Sequence, residues 1–407
     1  MSPSPADLLA LLPLLILGVT CLATLLAAAF DRRRLVTVLA VAGYLGAAAA
    51  VVPRVTAAPR GVTPLLVADG AGHLATGLFA LAAAATALLV AVDTRRRGQR
   101  PGEAQVLVAV ATAGAAAMAS SRHLASLFIA LETLTVPLYT LIAYRRHDPR
   151  SSEAGIKYLM VAAASSAFLL MGAALVYAGS GSLGLGDLAR ALVHVPDPAL
   201  APYLAMGTAL ILVGAGFKLA AAPFHLWTPD VYEGAPAPVT GFVATVSKGA
   251  MMVVVLRLVL AGPLRSEAAP TVSLMVGLLA VLSILAGNLL ALLQTNLKRL
   301  LAYSSIAHVG YMLVAVRAAG PLAGEAVAFY LAAYVATTIA AFALLTALSG
   351  PDGDRERLEE LRGLAWRRPA LSAAFAAALL SLAGIPVSAG FMGKIWIVAA
   401  GAEPGHW

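Results

Sequence analysis

Long apolar stretches separated by short polar connections alternate along the whole chain. An α-helix needs about 20 apolar residues to cross the hydrocarbon core of a membrane, and these stretches are of that order. Helical spans satisfy their own backbone hydrogen bonds, which lipid cannot do. The pattern predicts an all-α polytopic membrane protein with about twelve transmembrane helices, over residues 8–29, 35–53, 70–93, 103–119, 123–144, 154–178, 201–232, 238–260, 270–293, 300–318, 324–349 and 370–400.

Two of these spans contain helix-breaking residues near their middle. The seventh carries Pro223 and Pro229, and the twelfth carries Gly384, Pro386 and Gly390. Proline removes a helical donor and clashes with the preceding turn. Interrupted helices at matching places in two halves are typical of transporters built from inverted repeats, whose site lies at the breaks. A simple proline kink is the alternative, but a lysine close to each break favours the first interpretation.

Composition agrees with a chain that lies almost entirely in the membrane. Hydrophobic residues make up 60% and charged residues 12%, whereas a soluble domain carries about 25% charged residues. The longest polar connection, 350–369, places Leu358, Leu361 and Leu364 on one helical face, which predicts a short helix on the membrane surface; a solvated loop is an equal alternative. The single cysteine, Cys21, excludes an intrachain disulfide and a Cys-ligated metal centre made by this chain alone.

The net charge of +8 follows the membrane topology. Seventeen Lys and Arg residues fall in connections one, three, five, nine and eleven, and seven in the even-numbered connections and nearby helix ends. By the positive-inside rule, the odd connections are cytoplasmic and the N-terminus faces out. This placement argues against a nucleic-acid partner. We expect a multi-pass membrane protein.

The chain separates its two kinds of basic residue. It contains 23 arginines, all in polar connections or close to segment ends, but four of its five lysines lie inside the apolar segments. Arginine stays protonated under nearly all conditions, whereas a desolvated lysine can lose its proton. The four residues are Lys157, Lys218, Lys248 and Lys394; Lys298 sits at a segment boundary. This distribution predicts a protein that moves protons.

Glu132 is the one acid near the centre of a predicted span. A carboxylate in this position should be paired, protonated or hydrated, because an isolated charge in lipid is costly. Lys218, near mid-depth of the seventh span, is its natural partner. A pair that opens and closes would change the proton affinity of the lysine. The alternative is a static structural salt bridge, because buried ion pairs are often neutral for stability.

The remaining candidates have no acidic partner that the sequence reveals. Lys248 and Lys394 are isolated amines, and we expect water to reach them. Lys157 lies nearer its helix end, where it either joins the row of amines or extends to the interface. His308 shares its span with Tyr303, Ser304, Ser305 and Tyr311, which favours a proton relay; for His225 a satisfied buried side chain remains an equal alternative.

Five motifs resemble those of the antiporter-like membrane subunits of respiratory complex I. The carrying segments are Leu-Glu-Thr-Leu-Thr-Val-Pro-Leu-Tyr at 131–139, Glu-Ala-Gly-Ile-Lys-Tyr at 153–158, Phe-Lys through Val-Tyr-Glu-Gly-Ala-Pro at 217–236, Lys-Arg-Leu-Leu-Ala-Tyr-Ser-Ser-Ile-Ala-His-Val-Gly-Tyr at 298–311, and Gly-Ile-Pro through Gly-Phe-Met-Gly-Lys at 384–394. The ending Val-Tyr-Glu-Gly-Ala-Pro resembles the N type of these subunits more than the M and L types. A lysine at 394 also disfavours the M type, whose equivalent residue is acidic.

The resemblance implies a role for each candidate residue. Glu132 and Lys218 would form the coupling pair, Lys248 the central relay and Lys394 the terminal proton site. Lys157 and His308 would help to conduct protons along a hydrated axis near the middle of the membrane. We add His225, at the first break, as a further candidate.

The resemblance also implies an assembly in which this chain carries no cofactor. NADH, FMN, iron–sulfur clusters and quinone would belong to partner subunits, and the neighbours would be K-, M- and J-type membrane subunits of the same hetero-oligomer. Two readings stay open beside this one. They are a subunit of a multi-subunit sodium/proton antiporter and a purely structural assembly subunit.

The expected organisation has three parts. Residues 1–100 would form an N-terminal three-helix segment, 101–260 a first antiporter-like repeat and 261–407 a second repeat. The family usually has fourteen spans, so we expect the second repeat to lack its last two helices.

Overall fold

The computed structural model describes residues 4–193, 197–260, 270–350 and 353–402. Helices dominate the chain. The first half contains α1 (Pro5–Ala10), α2 (Leu12–Ala29), α3 (Arg33–Val51), α4 (Gly70–Arg96), α5 (Gly102–Ala119), α6 (Leu124–Ile142), α7 (Pro149–Ser180) and α8 (Leu185–Val193). A short antiparallel pair, β1 (Arg60–Gly61) and β2 (Val67–Ala68), lies between α3 and α4.

The second half continues the helical pattern with several shorter pieces. It contains a 3₁₀ turn (Pro198–Leu200), α9 (Ala201–Leu219), α10 (Trp227–Gly234), α11 (Ala237–Phe242), a π-helical turn (Val243–Ser247), α12 (Lys248–Leu260), α13 (Pro270–Ala291), α14 (Leu297–Ala318), α15 (Ala323–Leu348), a 3₁₀ turn (Leu358–Leu361), α16 (Leu364–Arg367), α17 (Pro369–Ala383) and α18 (Ala389–Gly401).

Polar residues fix where the long helices begin. The side chains of Asp69, Asp148 and Asn296 accept hydrogen bonds from the first free backbone N–H groups of α4, α7 and α14. These groups have no partner inside the helix, so a capping oxygen stabilises each start. Each of these caps stands at the polar boundary of an apolar stretch, so the hydrophobic pattern and the capping chemistry specify the same helix.

The prediction of an all-α polytopic membrane protein is confirmed. Eleven helices of the described residues are long and apolar enough to cross a membrane. The predicted twelfth span is present as two shorter apolar helices, α17 and α18, separated by residues 384–388. The seventh is broken in the same way between α9 and α10. Both interruptions lie where the proline and glycine residues predicted them.

The bundle is organised around its eighth span. The run Ala237–Val259, made of α11, the π turn and α12, is 89% buried, whereas α13 is only 22% buried and presents leucine side chains outward. Close approach of helices depends on glycine in places: a Cβ at Gly172 of α7 would lie 2.6 Å from the Gly207 carbonyl oxygen of α9. Small residues at such crossings are usual for membrane helices.

The odd-numbered connections meet on one face of the bundle. Arg100 pairs with Asp31, and Arg97, Arg145 and Lys298 all pair with Asp354. On the opposite face, the Arg257 guanidinium contacts Asp69. These ion pairs join residues of odd-numbered connections to one another, as a shared face would require. Connection 350–369 holds a 3₁₀ turn and the single helical turn α16 in place of one continuous surface helix.

Candidate functional site

The break in the seventh span leaves backbone groups that neighbouring side chains satisfy. Ala220, at the end of α9, adopts a left-handed conformation with φ +57°. The Trp227 indole N–H donates to the Phe217 carbonyl oxygen at 3.2 Å, and Ser283 of α13 accepts from the Ala222 N–H at 2.8 Å. Irregular backbone is tolerated at membrane depth when protein groups replace the missing helical bonds. Side chains of the protein therefore stabilise the break.

Lys218 occupies the last turn of α9, next to this break. Its side chain is buried, and its Nζ donates to Thr135 Oγ1 at 2.6 Å and to the Tyr158 hydroxyl at 2.9 Å. The ammonium also lies 5.2 Å from the centre of the Tyr158 ring. A cation is favoured there because the carbonyl end of a helix carries partial negative charge.

Glu132 lies one turn before Thr135 on α6 and is partly buried. It accepts a short hydrogen bond from the Ser166 hydroxyl of α7. Within the described residues, no ion pair joins Glu132 to Lys218. In this conformation Lys218 of α9 therefore bonds to Thr135, one turn from Glu132 on α6, and not to the carboxylate predicted to pair with it.

Lys248 follows immediately after the π-helical turn in the eighth span. Its Nζ is buried and donates to Ser305 Oγ of α14 at 2.7 Å. The Tyr232 hydroxyl donates to the same oxygen at 3.3 Å. A π turn inside an α-helix is frequently found at a functional position, where it re-aims one side chain. Hydrophobic periodicity gave no indication of this turn.

Tyr158 contacts the first buried lysine and lies near the segment that carries the second. Its hydroxyl accepts from Lys218 and also interacts with the Ser247 side chain, one residue before Lys248. A hydroxyl group both donates and accepts a hydrogen bond, so it can bridge two amines. Tyr158 thus bonds to Lys218 and lies near Ser247, the residue before Lys248.

His308 lies one turn beyond Ser305 on α14, within a group of tyrosines. Its Nδ1 is 2.6 Å from the Tyr330 hydroxyl, and its ring centre is 5.1 Å from that of Tyr334. Tyr311 packs edge-on against the imidazole, with centroids 6.0 Å apart. The sequence indicated Tyr311 but not Tyr330 or Tyr334. The spacing of four residues between Tyr330 and Tyr334 puts both rings on one face of an apolar helix, and this was the signal that could have indicated them.

Lys394 lies beside the break in the twelfth span. Its Nζ donates to the Ala383 carbonyl oxygen, the last residue of α17, at 2.8 Å and lies 5.0 Å from the centre of the Tyr311 ring. Gly384 follows with φ +79°, and a Cβ there would approach Lys394 Nζ to 2.8 Å. The glycine provides both the left-handed turn and the space for the ammonium group.

Lys157 lies outside the buried row. Its Nζ contacts Glu153 at 2.6 Å and Asp230 at 2.7 Å, and its side chain is 40% exposed. Asp230 also accepts from Arg299 at 2.7 Å. These ion pairs lie on the face that carries the odd connections. Lys157 therefore belongs to a surface ion network, which agrees with the expectation that it extends to the interface and not with a place in the buried row.

His225 lies within the first break and is buried. Neither ring nitrogen has a hydrogen-bond partner among the described residues, and the Thr228 hydroxyl three residues later is equally unpartnered. Buried polar atoms of this kind are normally satisfied by ordered water. His225 and Thr228 therefore leave polar atoms without partners inside the first break, and neither side chain bonds to Lys218 or Lys248 among the described residues.

The sequence and the fold match one known family. Residues 121–407 match the family described as NADH:quinone oxidoreductase/Mrp antiporter, TM. A protein named NADH-quinone oxidoreductase subunit N from Methylococcus capsulatus is 46% identical over 405 residues, which cover 98% of this chain and 81% of the relative. This chain therefore belongs to the NADH:quinone oxidoreductase/Mrp antiporter family.

Further relatives refine the placement within the family. Subunit N of NADH-quinone oxidoreductase from Ectopseudomonas mendocina is also 46% identical, over 408 residues that cover 98% of this chain and 81% of the relative. A chain of respiratory complex I from Thermus thermophilus superposes with a TM-score of 0.82 at 39% identity, covering 97% of this chain and 84% of that one. The resemblance to complex I antiporter-like subunits is thus confirmed.

The antiporter alternative is less well supported. The Mrp complex from a Dietzia species gives a TM-score of 0.79 at 26% identity, covering 97% of this chain and 74% of that one. The two complexes share the fold, and the higher identity lies with complex I. The chain is thus a multi-pass subunit of a hetero-oligomeric membrane complex. In the described ranges, no three His, Cys, Asp or Glu side chains are grouped as a metal site would require.

The sequence did not predict one buried ion cluster of this chain. Lys298, predicted only as a boundary residue, and Asp354, which no pattern singled out, form an ion pair at 2.7 Å with side-chain exposures of 1% and 2%. Burial raises the pKa of Asp354, but Lys298 and Arg145 outweigh this effect and hold it well below its ordinary value. The partners come from separate connections, so local sequence could not reveal the cluster.

Proposed function

We propose that this chain is the N-type membrane subunit of an NADH-quinone oxidoreductase and moves protons through the row formed by Glu132, Lys218, Lys248, His308 and Lys394. The observation that carries the proposal is the series of lysines inside the bundle: hydroxyl groups hold Lys218 and Lys248, and a carbonyl at the second break holds Lys394. These contacts come from helices that are distant in sequence and place polar groups at intervals through an otherwise apolar bundle.

Transfer would start at Lys218. A shift of the ammonium by one helical turn along α6 would exchange Thr135 for Glu132 as its acceptor. A nearby carboxylate favours the charged amine, and separation from it favours release of the proton. The geometry therefore supports a pair that opens and closes, with the hydroxyl-bonded position as the open state.

The subsequent steps use groups that both donate and accept. Tyr158 and Ser247 lead from Lys218 to Lys248, and Ser305 leads to His308 one turn further along α14. The ring of Tyr311 contacts both His308 and Lys394, and water beside it would complete the step to the last lysine at the second break. His225 and Thr228 would supply polar atoms for water near the first break.

Redox chemistry would take place in other subunits of the assembly. NADH, FMN, the iron–sulfur clusters and quinone would bind there, and K-, M- and J-type membrane subunits would be the neighbours. We further propose that the face with the odd connections is cytoplasmic and that the N-terminus faces out of a bacterial plasma membrane. Residues 1–100 would form the leading segment, with repeats at 101–260 and 261–407, each containing one break.

Proton pumping in inverted membrane vesicles tests the function. NADH-driven acidification, divided by the rate of NADH oxidation, should fall at least severalfold in Lys218→Ala and Glu132→Ala, because both members of the coupling pair are needed. Arg190→Gln, in an exposed ion pair with Asp187, is the control and should match the wild type. Normal pumping in both Lys218→Ala and Glu132→Ala would refute the proposal.

A further inference from the structure

The joint between α10 and α11 brings two helix ends together. The first helix ends at Gly234 and the second begins at Ala237, with Ala235 and Pro236 extended between them. The end of a helix presents free carbonyl groups with partial negative charge, and the start presents free N–H groups with partial positive charge. Because the joint is buried, both sets of groups need partners from the protein.

Lys298 of α14 supplies the cation for the carbonyl side. Its Nζ donates to the Glu233 carbonyl oxygen at 3.0 Å, to the Ala235 carbonyl oxygen at 2.7 Å and to Asp354 Oδ2 at 2.7 Å. An ammonium group has three N–H donors, so these contacts use all of them.

Asp354 supplies the anion for the N–H side. Its Oδ2 accepts from the backbone N–H of Ala237, the first residue of α11, at 3.2 Å. The carboxylate also receives two bonds from Arg145, at 2.7 and 3.1 Å, and one from Arg97 at 3.3 Å. Each charge of the ion pair thus faces the helix end of opposite polarity.

The same elements carry Lys248 and its acceptor. Lys248 lies eleven residues after Ala237 in one helical run, about 16 Å along its axis. Ser305, which accepts from both Lys248 and Tyr232, lies two turns after Lys298 on α14. Helix α14 therefore holds the joint at one point and receives Lys248 at another.

We propose that Lys298 and Asp354 are positioning residues that clamp this joint and thereby set the depth and rotation of Lys248 against Ser305. The inference rests on the proposed function in one respect, namely that Lys248 carries a proton. Neither residue takes part in the transfer itself.

A simpler role would be to anchor the connection that contains Asp354. The Leu297 N–H donates to the Glu356 carbonyl oxygen at 2.6 Å, and the Leu358 N–H donates to the Thr295 carbonyl oxygen at 3.1 Å, so this connection is already attached to α14 by its backbone. An anchor would leave the joint unaffected when the ion pair is removed. The clamp requires the joint to loosen.

Amide hydrogen exchange of the intact purified complex distinguishes these roles. In Lys298→Gln and Asp354→Asn, exchange over residues 237–247 should accelerate at least tenfold, and protons pumped per NADH oxidised should fall at least twofold. The control is Arg257→Gln, which breaks an ion pair with Asp69 at the other end of α12, where the side chains are 15% and 18% exposed, compared with 1% and 2% for Lys298 and Asp354. The control should leave exchange over 237–247 unchanged.

Three results would overturn the clamp: unchanged exchange over 237–247, acceleration confined to 353–358, or equal acceleration in Arg257→Gln. Thr240→Val keeps the test decisive if a charge variant fails to assemble, since its hydroxyl bonds to the Pro236 carbonyl oxygen at 3.1 Å and should loosen the same segment when removed. Lys248→Ala is measured alongside. Normal pumping there would refute the proton role of Lys248, while the exchange data would still decide the clamp.

Discussion

At the residue scale, each fully buried lysine of the row is held by a hydroxyl group. Lys218 uses Thr135 and Tyr158, and Lys248 uses Ser305. A hydroxyl stabilises an ammonium by a hydrogen bond without a permanent opposite charge, so the proton can still leave. A carboxylate at the same distance would hold the charge more strongly. The structure thus favours exchangeable protons over static ion pairs at these sites.

Removal of the Tyr158 hydroxyl should slow transfer between the first two lysines. In Tyr158→Phe, loss of a bridge worth about 1.4 kcal/mol would reduce the coupled rate about tenfold, because that energy corresponds to a factor of ten. The measurement is NADH-driven pumping in vesicles.

Tyr139→Phe is the matched control for this change. Tyr139 packs edge-on against Tyr158, and its hydroxyl makes no hydrogen bond within the part of the chain that the structure describes. Its removal should leave pumping unchanged. Equal rates for Tyr158→Phe and the wild type would show that protons bypass this tyrosine.

At the element scale, the two broken spans present their lysines from opposite sides of the interruption. Lys218 precedes the first break in α9, and Lys394 follows the second in α18. The Lys394 ammonium, which we place last in the row, donates a hydrogen bond to the Ala383 carbonyl oxygen at the end of α17. It therefore also stabilises the end of the broken helix. Movement of this side chain would therefore change the local helix end as well as the charge.

Gly384→Ala tests this coupling of backbone and charge. A left-handed conformation costs about 1–2 kcal/mol for alanine, and the new Cβ would also displace Lys394 Nζ, which lies 2.8 Å from its position. Both thermal stability and pumping should decrease.

Gly98→Ala separates the two effects. Gly98 also has a positive φ, +66°, but a Cβ there meets no atom within 4 Å. It should lose stability to a similar extent while pumping stays normal. If Gly98→Ala reduced pumping as much as Gly384→Ala, the effect would come from destabilisation alone.

At the scale of the whole molecule, charged side chains on one face connect elements that are far apart in sequence. Asp354 joins the ends of α4 and α6 to α14 and to the start of α11 through its four partners. Removing one partner from a buried network leaves an uncompensated charge, which is costly. This face is therefore a cooperative unit in which the eighth span is held.

The pH dependence of stability should show the ion cluster. The folded pKa of Asp354 lies below its unfolded value, so its contribution is fully present above about pH 4 and is lost as the pH falls through the folded pKa. The difference in thermal stability between wild type and Asp354→Asn should be constant from pH 5 to 8 and should shrink below about pH 4.

Glu356 provides a contrast in the same connection. Burial raises its pKa, so its carboxylate is disfavoured in the folded state. Glu356→Gln should therefore gain stability relative to the wild type as the pH rises through that pKa.

For Asp354, the contrary outcome is a stability difference between wild type and Asp354→Asn that varies between pH 5 and 8. That result would contradict the assignment of a lowered pKa to Asp354.

The sequence by itself determined the membrane class, the spans, the two breaks and the burial of Lys218 and Lys248, but not the burial of Lys298 or the exposure of Lys157. The length of an apolar stretch predicts a span, and helix-breaking residues predict a break. A lysine inside a span predicts a special environment. None of these predictions depends on which helices pack together. The excess of Lys and Arg in the odd connections likewise predicts their orientation from charge alone.

Only the tertiary structure decided which groups touch. Lys218 and Tyr158 are 60 residues apart, and Lys248 and Ser305 are 57 apart. Periodicity shows that a side chain is buried, but not which face of which helix it meets. For that reason the expected Glu132–Lys218 contact was replaced by Thr135 and Tyr158, and the Lys298–Asp354 pair, made between connections distant in the chain, had no signature in the sequence.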